Sequence, residues 1–224
     1  MTSATTRKIK ALQCPPDGSA AAAQQPPRER ILSAAFAVFT ERGYGGASTL
    51  EIATRARVSK RELYALFGDK RAMLVTCIAD RARRMRDPLL LPDPRDRGSF
   101  AAVLAAFGAT LLHELSQPHV VAVYRLAILE PESPEVAQAL DTSGRKATRK
   151  ALTGLIARAQ SAGLLAAADP GAVAEQFMAL LCGDLQMRLL LGLSRPPGKQ
   201  ALERRAREAV EALLAIHSPP RQAA

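Results

Sequence analysis

Helix stop and start signals crowd into residues 43–70, GYGGASTLEIATRARVSKRELYALFGDK, and leave room there for only two short helices and the start of a third. Gly43 ends a preceding helix as its C-terminal cap, and Tyr44-Gly45-Gly46 continues the turn. These glycines lack the preceding strand that a nucleotide-binding loop needs, so capping is the better reading. Ser48 stands where an N-cap belongs, with Glu51 three residues later in the spacing of a capping box. A helix from Thr49 to about Ala56 follows and buries Leu50, Ile52 and Ala53. Arg57-Val58-Ser59 makes a tight turn, and Ser59 or Lys60 opens the next helix, which runs to Phe67. Leu63 and Phe67 face the core with Val58, which leaves Lys60, Arg61, Tyr64 and Ala65 facing outward. Gly68-Asp69 breaks that helix, and Asp69 caps a long one from Lys70 to about Asp87.

The remainder also reads as helix, giving an all-α chain of about nine helices. A first helix covers about Arg28 to Arg42, with Ile31, Leu32, Ala35, Phe36 and Phe39 forming one apolar face. Residues 1–27 contain PPDGSAAAAQQPP, have little to bury and read as a disordered arm. Pro88, Pro92 and Pro94 mark residues 88–98 as a linker. Beyond it, helices are expected at about Ser99–Ser116, His119–Glu130, Pro134–Ala162, Pro170–Leu193 and Lys199–His217, with residues 218–224 as a tail. The helix at 170–193 is apolar over most of its circumference and must be buried on more than one side.

Charge is unevenly spread along the chain. Residues 1–87 hold 16 Lys/Arg against 8 Asp/Glu, and residues 88–224 hold 15 against 13. A basic front on a near-neutral back points to a polyanion-binding module joined to something else. Two short helices with a tight turn, in the most basic part of the chain, are the means by which a protein lays a helix into the major groove of duplex DNA.

Other classes find less support. Cys14, Cys77 and Cys182 stand far apart and offer no disulfide framework or clustered metal motif, so free thiols, no metal and no cofactor are expected. His113, His119 and His217 are scattered, without a His-Glu-x-x-His spacing, a P-loop or a nucleophile elbow, so an enzyme is not expected. No apolar run of about 18 residues suited to a membrane is evident. The N-terminal residues have no apolar core of signal-peptide length, which makes the cytoplasm the default.

Residues 28–74 resemble the DNA-binding domain of the tetracycline-repressor (TetR) family. The likeness runs through Arg30-Ile31-Leu32, Ala35, Phe39, Gly43-Tyr44, Ser48, Glu51-Ile52-Ala53, Ala56, Val58-Ser59-Lys60, Leu63-Tyr64, Phe67 and Lys70. It implies an all-helical repressor with a helix-turn-helix at about 48–67 and a ligand-binding and dimerisation domain at 75–217. It also implies homodimerisation through the last two helices and release of an operator when a small-molecule effector binds. An architectural or activating DNA-binding protein without a sensor role is the alternative. Two positions depart from the family pattern. Arg57 stands where Gly is usual, and a left-handed backbone at a non-Gly residue costs about 1–2 kcal/mol. Glu62 replaces a small polar residue, where an acid either repels phosphate or accepts from a cytosine amine.

The set expected to face DNA is Ser48, Thr49, Arg57, Ser59, Lys60, Arg61, Glu62, Tyr64 and Lys70. Ser48 and Lys70, at helix starts, are placed for phosphate oxygens, and Tyr64 reaches a phosphate with its hydroxyl. Lys60 and Arg61 lie at the end that reads base edges, and Arg61 is the candidate for guanine, with a phosphate contact as its alternative. Arg55 and Arg57 are expected to add non-specific attraction. His113, Tyr124 and Arg125 are the candidate polar groups of an effector pocket, with an Arg125–Glu130 pair as the alternative for Arg125. The dimer interface is expected at Met178, Leu181, Leu185 and Arg188.

Overall fold

The computed structural model describes residues 25–90, 93–131 and 134–219, and the regular secondary structure among them is helical throughout. Most of the expected arm and tail lie outside the described residues. Helix α1 (Pro27–Gly46) opens on a proline, whose missing N–H costs nothing at a first turn. Gly43, expected to end α1, instead kinks it at φ 69° and ψ 171°, and the chain makes another turn to Gly46. Helices α2 (Thr49–Ala56), α3 (Lys60–Phe67) and α4 (Lys70–Met85) follow with the bounds expected from their caps. Ile31, Ala35, Ile52, Leu63, Phe67 and Met73 of these four helices close one core, which also takes in Val136 from the far half of the chain.

The α2–α3 turn passes through Arg57 at φ 54° and ψ 48°, the left-handed conformation that Gly adopts without strain. Arg30 of α1 holds the turn in place, donating from Nε to the Ala56 carbonyl at 3.0 Å and from Nη2 to the Arg57 carbonyl at 3.4 Å. Arg57→Gly is therefore expected to relieve about 1–2 kcal/mol of strain. It gives back about 0.4–1 kcal/mol through a freer unfolded chain. The net gain of about 1 kcal/mol should appear as a higher urea midpoint at unchanged slope.

The second half contains α5 (Arg97–Leu115), α6 (Pro118–Leu129), α7 (Glu135–Ala139), a π-helical segment (Leu140–Lys146), α8 (Ala147–Ser161), α9 (Pro170–Cys182), α10 (Leu185–Leu190) and α11 (Lys199–Ile216). Its core gathers Phe100, Leu104, Phe107, Leu152, Phe177 and Leu213. Helix α5 has a window of mean hydropathy 1.4, long and apolar enough to cross a membrane, contrary to the expectation of no such run. Here its apolar side chains pack inside the chain's own core. Gly108 lets α5 approach α9 and α11, since a Cβ there would lie 3.0 Å from Leu181 and 3.2 Å from Ala206. Gly108 thus serves close packing, while Ala105, Ala106 and Ala109 line an open groove beside α11.

Two expected long helices are interrupted. The helix at 134–162 loosens into the π segment around Gly144. The helix at 170–193 breaks at Gly183, φ 47° and ψ −129°. Arg205 of α11 stabilises that break by donating from Nε to the Leu181 carbonyl at 2.6 Å and from Nη2 to the Cys182 carbonyl at 2.9 Å. A side chain at 183 would meet the same guanidinium at 2.5 Å.

Candidate nucleic-acid interface and cavity

Helix α3 is built by its caps. The Ser59 hydroxyl accepts from the Glu62 backbone N–H at 3.0 Å at one end, and Gly68 donates to the Tyr64 carbonyl at the other. Leu63 and Phe67 anchor it in the core, so Lys60, Arg61, Tyr64 and Ala65 are exposed and Glu62 is half-buried. The Tyr64 hydroxyl lies 3.1 Å from Thr49 Oγ1, joining the outer sides of α2 and α3. Ser48 caps α2 from an exposed position by accepting from the Leu50 N–H at 3.2 Å. The expected capping box does not form, because Glu51 turns to Arg55 at 2.5 Å and Arg42 at 3.9 Å. Leu50, expected in the core, is 58% exposed.

Ion pairing separates the cations into two kinds. Arg55 is clamped by both oxygens of Glu41 at 2.8 and 2.7 Å besides Glu51, so the attraction expected of it is largely neutralised. Arg71, Arg81, Arg83 and Arg84 are likewise acid-paired. Lys60, Arg61 and Arg57 form no ion pair among the described residues. Lys70 has partners within the chain. Its ammonium donates to the Ala47 carbonyl at 2.9 Å and sits 4.6 Å from the centre of the Tyr44 ring, which fixes the α1–α2 corner from within.

Where α1 meets α4, α5 and α6 there is a cavity of about 110 Å³. Its walls are mainly apolar, including Phe36, Phe39, Leu74, Ile78, Val123 and Leu140. Its polar groups are few. Arg81 forms a two-pronged pair with Glu114 at 2.8 Å on both contacts, and lies 4.3 Å above the Phe36 ring. His119 meets the same Phe36 ring edge-on, 5.0 Å between centroids, and its Nε2 is enclosed without a protein hydrogen-bond partner. Burial, and then the Arg81 charge, hold the His119 imidazole below its usual pKa. Burial pushes the Cys77 thiol up to about 12.

Of the three expected pocket residues only Tyr124 lines this cavity. His113 faces an open groove between α5 and α11, beside Gln117. Arg125 donates to the Leu189 and Leu190 carbonyls at 3.0 Å and so caps α10. The Glu130 proposed as its partner holds Arg71 instead, at 2.9 Å. His119 and Phe36 were not expected at a pocket from the sequence. They stand on helices far apart in the chain and carry no shared local pattern.

Residues 102–219 match the family described as "AefR-like transcriptional repressor, C-terminal domain", and residues 31–77 match "Bacterial regulatory proteins, tetR family". The chain belongs to the TetR family. No curated protein sequence matches it. Among solved structures it resembles a TetR regulator from Agrobacterium tumefaciens at 27% identity and TM-score 0.72, covering 88% of this chain and 97% of that one. The flavonoid-responsive regulator FrrA is similar at 29% identity and TM-score 0.62, over 88% and 98% of the two chains. A TetR-family protein from Mesorhizobium loti shares the fold at 24% identity and TM-score 0.70, over 88% and 98%.

In this TetR-family chain the expected partner-facing residues need correcting. Leu181 is fully enclosed and Leu185 is 8% exposed, both in the chain's own core, and Met178 is half-buried against that core. Leu181 and Leu185 have almost no surface left for a second chain, whereas Met178 keeps part of its own. Arg188 is outward and sits 3.8 Å from Asp184. Leu180, Met187, Leu191 and Leu193 are the large apolar residues left exposed along α9, α10 and the segment after it.

Proposed function

We propose that this chain is a homodimeric repressor that binds a two-fold symmetric operator in duplex DNA and leaves it when a small molecule occupies the cavity. The carrying observation is α3. It is capped and anchored on one side and presents Lys60 and Arg61 without acid partners on the other. Arg61 reads guanine, while Ser48, Thr49, Arg57, Ser59 and Tyr64 meet phosphates and fix the register. The match to a repressor C-terminal domain supports repression, and the likeness to a flavonoid-responsive regulator supports a sensor role.

A second copy covers the exposed strip Leu180, Met187 and Leu191, next to the small residues Ala179 and Gly183. Two recognition helices then meet successive major grooves about 34 Å apart. The cavity shares walls with α1 and α4, so an occupant acts where the DNA-binding helices join the rest. It must favour the DNA-incompetent arrangement, since equal affinity for both would shift nothing. A purely architectural binder has no use for such a cavity.

Selection from random duplexes with the full chain tests this. A two-fold symmetric consensus is expected, with half-sites one helical turn or a multiple apart. Recovery of unenriched DNA would overturn the operator reading.

A further inference from the structure

We propose that the cavity between α1, α4 and α6 takes a small, uncharged, single-ring aromatic hydroxyl compound, a phenol, whose hydroxyl bonds His119 and whose ring stacks within the aromatic wall. This rests on the regulator reading above and adds the chemistry of its effector. Size comes first. A volume of about 110 Å³ is the order of an engineered apolar cavity of about 150 Å³ that accepts benzene. It is well short of the about 300–1,000 Å³ of pockets for larger ligands.

Charge comes second. The ionised groups on the wall among the described residues, Arg81 and Glu114, neutralise each other through two hydrogen bonds. A carboxylate would have to displace Glu114 from Arg81, and an ammonium would have to displace Arg81 from Glu114. Neither exchange is favoured in an apolar enclosure.

Hydrogen bonding comes third. His119 Nε2 is buried without a protein partner, a condition that costs free energy. A hydroxyl both donates and accepts, so it satisfies this nitrogen in either tautomer of the ring, as a purely accepting or purely donating group does not.

The same residues tie the site to the DNA-binding end. Phe36 belongs to α1 and is held between the His119 ring of α6 and the Arg81 guanidinium of α4. A ring entering beside His119 competes for the Phe36 contact and loosens the hold of α1 on α6.

Calorimetry on the full chain with phenol, toluene and benzoate tests the assignment. Phenol should bind about 2- to 10-fold more tightly than toluene, the ordinary worth of one buried hydrogen bond. Benzoate should be weakest. His119→Phe, which keeps an aromatic ring against Phe36, should abolish the preference for phenol over toluene. Ala82→Leu should fill the cavity and remove binding of both, with thermal melts showing that each variant folds. Equal binding of phenol and toluene, tightest binding of benzoate, unchanged phenol affinity in Ala82→Leu, or no binding at all would each overturn it. Operator release is read separately. Phenol that binds in the expected order yet leaves operator affinity unchanged overturns the sensor reading and leaves the site standing. Failure of operator selection would overturn the DNA reading alone.

Discussion

Arg61→Ala is expected to weaken operator binding about 5- to 150-fold, the loss of a two-pronged guanine contact worth about 1–3 kcal/mol. The loss should concentrate at one base position per half-site, because the remaining contacts fix register but do not distinguish bases. Arg61 is exposed at the start of α3, and no acid among the described residues competes for its guanidinium. Arg55 provides the contrast. It is clamped by Glu41 and Glu51, and Arg55→Ala should leave base preference unchanged. Fluorescence anisotropy across salt concentrations separates base reading from phosphate binding. A loss uniform over all sequences, with the salt slope reduced by about one, would reassign Arg61 to phosphate.

Phe177→Ala is expected to cost about 3–5 kcal/mol of folding stability, read from the urea midpoint. Phe177 is fully buried in the core it shares with Phe100 and Phe107, among residues from α5, α9 and α11. Those helices are drawn together by Gly108, and a neighbourhood so close-packed has little freedom to collapse around a lost ring. A cost under 1 kcal/mol would mean that α9 is not seated as described. Helix α9 also carries Leu180 on its outer side, so the same variant should weaken dimerisation only through loss of fold.

The helix-turn-helix was legible because its signals are local. Ser59, Gly68 and Asp69 act within three or four residues of themselves, and the left-handed turn at Arg57 was expected from the resemblance, since Arg57 stands where the family usually has Gly. Leu50 was misplaced because an eight-residue helix has too few apolar positions to fix which side is inward. The break at Gly183 depends on Arg205 reaching across from another helix, and no local pattern announces that. Leu181 and Leu185 stand four residues apart in line with Phe177 and Leu189 and turn inward with them, a facing that the mostly apolar circumference of this segment hides. The cavity was the least legible part. Phe36, Arg81, Glu114 and His119 come from four helices and meet only after the chain has folded.

The most direct measurement is protection of guanine N7 from methylation on the selected operator, because that atom lies in the major groove, where the proposed function puts α3. Protected guanines should recur symmetrically in both half-sites, and in Arg61→Ala one guanine per half-site should become reactive again. Protection confined to minor-groove adenines, or to one half-site alone, would contradict paired insertion of α3.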